Sequence, residues 1–366
     1  MVELNGGGHQ GHQEHEGRTS SDSEERTVAL YSDPGRTSMW VRRLLNEEEQ
    51  RWSRGSELIH YQTLLPLRAD RTLDLDAAQR WAQHDEADIT IVVTEIPRMA
   101  GRKPKMAELH LADRLAIISL PALGPVNVRH RLRRELRRCL DVLIHDSVDE
   151  AREKGHLTTS VQDQEGYRAY YTTPRGFLPD RTWTTLGMVA ANEPIAALPK
   201  LSGVFAAAAA TGAFGIFFST IWEMATFLPV WRLAVVSVIA VSVLVLWLLF
   251  ANRLWDKPAH MSGKREALMY NASTLVSLTV SVAALYLLLF GSILVVGLLL
   301  IAPEFMSETI GEESGLTNYV QIAWLSASMG TVAGAVGSNF DSSATVKNLT
   351  QGSRESQRYP RDEEQA

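Results

Sequence analysis

Apolar positions along this chain follow two regimes. From residue 27 to about 146 they alternate between strand-like runs and helical spacing, and from residue 201 they form long continuous stretches. In the first regime Thr27 to Tyr31 predicts a short strand that stops at the turn Asp33-Pro34-Gly35. Thr37 or Ser38 then caps a helix to about residue 53, with Trp40, Val41, Leu44 and Leu45 at helical spacing. A strand near Glu57 to Leu65 and a helix containing Ala77, Ala78, Trp81 and Ala82 follow. Asp88 to Thr94 is nearly continuous in β-branched residues and reads as a central, buried strand. Gly101 to Pro104 mark a turn, Met106 to Leu111 an edge strand and Leu115 to Leu120 another buried strand. Val128, Leu132, Leu136, Leu140 and Leu143 line one stripe of a long helix ending near residue 146. The order β-α-β-α-β-β-β-α defines an α/β domain over residues 27–146.

Residues 147–200 lose that periodicity and read as a linker. A short hairpin is expected near Tyr167 to Tyr171, and Trp183, Leu186, Met188 and Val189 suit an interfacial segment. Residues 201–338 then read as an all-α transmembrane bundle of four helices, with spans at about 201–224, 230–251, 268–302 and 319–338. The third stretch is too long for one straight crossing, so it is either one tilted or kinked span or two short ones. Charge decides for one. Residues 252–266 hold Arg253, Lys257, Lys264 and Arg265, whereas 303–318 hold Glu304, Glu308, Glu312 and Glu313 and no basic residue. An odd number of crossings between these loops satisfies the positive-inside rule. The expected protein is therefore multi-pass in the plasma membrane, with both termini and the α/β domain cytoplasmic.

Composition changes this picture only by what it excludes. The 366 residues are 45% hydrophobic and 21% charged with net charge −6, and the mean hydropathy of −0.07 averages polar and apolar halves. One cysteine, Cys139, rules out an internal disulfide framework and a four-cysteine zinc module. Mild acidity without a long basic block argues against a nucleic-acid partner. Residues 1–26 and 339–366 are polar tails expected to be disordered, and the former carries His9, His12 and His15, read as part of a flexible tail.

Phosphate-loop, GxGxxG, GxSxG and HExxH motifs do not occur, so no catalytic residue, cofactor or metal site is assigned. Asp33 and Arg36, where the first strand enters a helix, and Glu95, which follows the central strand, mark a candidate pocket at the sheet's carboxyl edge. The helix at 126–146 carries Arg129, Arg131, Arg133, Arg134, Arg137 and Arg138. These read either as a contact with anionic lipid or a partner, or as the solvated face of an amphipathic helix. Glu223 and Arg232, beside Trp222 and Trp231, suit interfacial anchors. Gly330, Gly334 and Gly337 form a small-residue face for helix packing, matched by Ala206, Ala208, Ala210 and Gly212 on the first span; it serves either the monomer's own bundle or a homo-oligomer.

Two resemblances rest on these residues. Ala87 to Arg98, Ile118 to Gly124, Leu186 to Pro194 and the glycine-rich fourth span together resemble a bacterial polytopic membrane-protein family with a cytoplasmic α/β domain and a small helical bundle. That resemblance implies an architecture and no activity. Residues 27–146 are also similar to archaemetzincin-type zinc peptidases, in which the long helix carries HExxH. The matching place here reads Arg134-Glu135-Leu136-Arg137-Arg138, which keeps the Glu and puts cations at both ligand positions, so the implied fold is zincin-like without its metal site. The expected function is a non-enzymatic membrane scaffold or regulator that contacts a protein partner or the bilayer surface. The alternatives are a membrane-tethered hydrolase, for which Asp33, Glu95 and Glu135 would share a pocket, and a small transporter or channel subunit.

Overall fold

A computed structural model describes residues 26–52, 56–66, 73–84, 87–100, 103–145, 158–159, 169–174, 176–196, 198–255 and 264–337. Both terminal tails, with His9, His12 and His15, lie outside the described residues apart from Arg26. The first part of the chain runs β1 (Arg26–Ser32), α1 (Arg36–Trp52), β2 (Ser56–Gln62), α2 (Leu75–His84), β3 (Ile89–Thr94), β4 (Arg98–Ala100), β5 (Lys103–Lys105), β6 (Ala107–His110), β7 (Leu115–Ser119), α3 (Val128–His145), β8 (Thr158–Thr159), β9 (Ala169–Thr172) and α4 (Asp180–Ala191).

Every residue of β3 and of β7 is buried, as expected of runs rich in Ile, Val and Leu at a sheet's centre. The sheet order is β2-β1-β3-β7-β6-β9-β8. Within it β1, β2, β3 and β7 are mutually parallel, and β6 runs antiparallel to both β7 and β9. Helices α1 and α3 cover one face, where Val41, Leu44, Leu132 and Leu136 pack on Val28, Ile91 and Ile118. Ala77 and Ala78 of α2 cover the other, against Tyr31, Val92 and Ile117. The chain therefore leaves β1 on one face to reach β2 and returns on the opposite face to β3, which creates a topological switch point between β1 and β3.

Three features differ from the sequence expectation. The strand at 107–110 is interior rather than an edge, because β9 pairs along its outer side with Glu108 opposite Tyr171. Where a turn was expected at 101–104, β4 and β5 form an antiparallel hairpin. The sheet also draws on β9, from a segment expected as linker, and β9 pairs with β8.

Next, α4 docks on a 3-10 turn at Pro121–Leu123. Trp183 is buried and donates its indole N–H to Leu123 O at 3.2 Å. Gly187 makes the close approach possible, since a Cβ there would fall 2.0 Å from Pro121 O. Gly124, at φ +89°, leaves room for the Trp183 ring in the same way.

The remaining chain is helical: α5 (Ser202–Gly212), α6 (Phe214–Phe217), α7 (Ser219–Phe227), α8 (Val230–Ala251), α9 (Lys264–Leu300), α10 (Pro303–Ile310) and α11 (Leu316–Gly337). Among the described residues three segments are long and apolar enough to cross a membrane: Leu198–Phe217, Val230–Ala251 and Ala267–Leu300. The stretch expected as one span at 201–224 breaks at Phe218, which is extended at φ −107° and ψ 109°. Trp222 then folds back to donate to Gly215 O at 2.8 Å. Residues 268–300 belong to one uninterrupted helix of 37 residues, α9, about 55 Å long. The stretch expected as a fourth span forms α11, which matches α8 in length, is richer in Gly, Ser and Thr, and is not among those three.

Candidate functional site

At the switch point, the first turn of α1 and the exit of β3 are tied together by side chains. Thr94 Oγ1 donates to Asp33 Oδ2 at 2.8 Å, and the Glu95 backbone N–H donates to the same oxygen at 2.6 Å. Thr37 Oγ1 donates in turn to Glu95 Oε1 at 3.1 Å. All four side chains are buried. Gly35, at φ +98°, gives the β1–α1 connection its turn. A helix N-terminus attracts anions. Here the Glu95 carboxylate is held on the first turn of α1, so the chain's own carboxylate supplies negative charge at the sheet edge.

Asp33, Glu95 and Arg36, predicted as a pocket, are thus brought to one place, with Arg36 facing outward to Glu193 at 3.4 Å. Glu135 has other partners. It accepts from Thr172 Oγ1 at 2.8 Å and from Arg138 at 3.0 Å, buried between α3 and β9.

Glu193 belongs to a three-residue joint that sequence reasoning did not assign. Asn192, buried at the end of α4, donates its amide to Ser277 Oγ at 3.0 Å and to Ser273 Oγ at 3.5 Å, both on α9. Glu193, at φ +48°, turns the chain and reaches Arg36 on α1. The Pro194 carbonyl accepts from Ser281 Oγ of α9 at 2.8 Å. Above the joint, Met188 packs with Met269 and Tyr270, and Met99 of the β4–β5 hairpin closes the contact. The polar start of α9 (Asn271, Ser273, Thr274, Ser277) is therefore buried.

A second unforeseen cluster lies beneath that hairpin. Glu108 on β6 accepts an ion pair from Arg98 at 2.6 Å and a hydrogen bond from Lys105 at 2.9 Å, with His110 Nε2 at 3.7 Å. Burial pushes the Glu108 carboxyl up, but Arg98, Lys105 and His110 outweigh it and hold it below the usual carboxylate range. His110 is held below the ordinary imidazole value, first by burial, against the opposing pull of Glu108.

The six arginines of α3 do not share one role. Arg129 and Arg133 pair with Glu47 of α1, Arg131 lies over the Trp183 ring at 4.6 Å, and Arg138 serves Glu135. Arg134 and Arg137 are exposed. Gly330 and Gly334 pack on α5 of the same chain: a Cβ at Gly330 would fall 2.4 Å from Ala208 O, and one at Gly334 3.1 Å from Val204. Gly337 is the last residue of α11. Glu223 is exposed at the α7 surface. Arg232 lies 5.3 Å from the Trp231 ring centroid.

No family model, curated protein or solved structure matches the chain. Among the described residues no group of three or more His, Cys, Asp or Glu stands ready to hold a metal ion.

What the arrangement does chemically is couple. The carboxyl edge of the sheet, where α/β domains carry their sites, is linked through Arg36, Glu193 and α4 to the longest membrane-type helix.

Proposed function

We propose that this chain is a non-enzymatic, multi-pass membrane regulator or scaffold whose α/β domain engages a protein partner on the cytoplasmic side and is fixed to α9. The observation that carries this reading is the Asn192-Glu193-Pro194 joint, which bonds both the domain and the helix.

In this reading α11 is a fourth crossing and both chain ends are cytoplasmic. Support comes from the helical region, where the start of α5 (Val204), the end of α8 (Leu248, Leu249), an early turn of α9 (Leu278) and the end of α11 (Ala335) share one apolar cluster. The start of α8 (Leu233), the end of α9 (Ile293) and the start of α11 (Tyr319, Ile322) share another. Such an up-and-down arrangement returns the chain to the side of the α/β domain, and the basic loop at 252–266 agrees with that side being cytoplasmic.

A protein partner is favoured over a lipid surface because at least four of the six α3 arginines, Arg129, Arg131, Arg133 and Arg138, are engaged within the domain. The zincin resemblance enters only as a scaffold, since the buried Glu135 is bonded to Thr172 and Arg138, one of the two cations standing at the ligand positions.

Photo-crosslinking from Arg134 and Arg137 in native membranes tests the proposal. A specific, stoichiometric protein adduct is expected. Adducts to lipid alone, or isolation of the chain with stoichiometric zinc, would overturn it.

A further inference from the structure

We propose that Arg98, Lys105, Glu108 and His110 form an acid-released latch that holds the β4–β5 hairpin against α4 and α9. Geometry places one carboxylate between an arginine, a lysine and an imidazole, where β6 meets the hairpin. Three strands contribute: Arg98 from β4, Lys105 from β5, and Glu108 and His110 from alternate residues on one face of β6. Lys105 also lies over the Tyr171 ring of β9 at 5.7 Å. The neighbouring Asp113, in the loop after β6, accepts from Gln79 of α2 at 2.8 Å. It is the further acidic group acting on His110.

At neutral pH the cluster holds two positive charges and one negative. A proton on His110 adds a third positive charge where water is largely excluded, and Glu108, already shared between Arg98 and Lys105, has no second charge to offer. Burial, Arg98 and Lys105 oppose that proton, and Glu108 and Asp113 favour it, with the balance against it. The sign follows from linkage. An imidazole held low in the closed latch stabilises it fully above the ordinary value of about 6.5, and this is lost as pH falls from there toward the lowered value. Glu108 is itself held below the usual carboxylate range, so it is still charged where that loss begins.

Release matters because of what the hairpin touches. Met99 of β4 packs on Met188, Met269 and Tyr270, so loosening the hairpin withdraws a contact from α9. Acidity would thus reach the membrane helix through the sheet. The latch rests on the proposed function only for which compartment's pH it reads.

Hydrogen exchange of the full chain in nanodiscs, corrected for the intrinsic pH dependence of exchange, is the test. Hairpin amides of residues 98–100, 103 and 105 should lose protection between about pH 7.5 and 5. His110→Gln should keep its protection across that range, while His60→Gln, at another imidazole held low by burial, should lose it as the parent does. Where His110→Gln fails to fold, Lys105→Met serves, because removing a cation lets His110 titrate closer to its ordinary value and shrinks the loss. Unchanged protection in the parent, an undiminished loss in His110→Gln or Lys105→Met, or abolition of the loss by His60→Gln would overturn the latch.

Discussion

Asn192 and Ser277 lie 85 positions apart and meet at 3.0 Å, amide to hydroxyl, where the end of α4 is hydrogen-bonded to α9. The amide nitrogen is engaged there while its oxygen, equally buried, has no hydrogen-bond partner among the described residues. Asn192→Leu should therefore cost only about 1 kcal/mol, the net worth of ordinary hydrogen bonds. Asn192→Asp should cost more, since it puts a charge where a neutral amide is buried. Thermal unfolding of the two variants in one detergent gives the ranking.

Gly187 sets how closely α4 approaches the sheet. Gly187→Ala should destabilise the protein by about 1–3 kcal/mol, because the added carbon meets a backbone carbonyl that cannot rotate away. Limited proteolysis should show the segment after residue 172 becoming cleavable first.

The buried cluster under the hairpin should respond asymmetrically to substitution. Glu108→Gln leaves Arg98 and Lys105 without a counter-charge and should cost about 3–5 kcal/mol. The triple change Arg98→Met, Lys105→Met, Glu108→Leu should recover most of that loss, because removing all the charges removes the desolvation cost as well. Denaturant unfolding of the two proteins compares them directly.

Gly330 packs closely against the backbone of α5. Gly330→Leu should force α11 away from α5 and lower the melting temperature, whereas Val332→Leu, exposed on the other side of α11, should leave it unchanged.

Much of the fold is legible from pattern because its centre is apolar. The runs at 89–94 and 115–119 and the stripe from Val128 to Leu143 announce β3, β7 and α3 without any tertiary information. The β4–β5 hairpin is not legible, because Arg98 to Lys105 is polar and short, and its partners, Glu108 for its charges and Met188 and Tyr270 for Met99, are brought to it only by the fold. Strand β9 has four residues and gains its place from pairing with β6. The break at Phe218 has no Gly or Pro to mark it. As for the site, Asp33 and Glu95 are readable from the strand-turn-helix order that puts both at a carboxyl edge. Asn192, Glu193 and Pro194 are not, since an Asn-Glu-Pro triplet carries meaning only once three serines on one side of α9 and Arg36 are brought to it.

The central claim, that the α/β domain is held fixed to the helical region, is tested most directly by a distance distribution. Spin labels placed at Arg137→Cys on α3 and Trp255→Cys after α8, both exposed, report across the joint. Cys139 stays unlabelled, because it is fully buried and burial pushes its thiol up. Pulsed electron resonance in nanodiscs should give a single narrow distance, broadened when Asn192→Leu and Gly187→Leu are combined. A broad distribution in the parent pair, or a narrow one that survives both joint substitutions, would contradict the account.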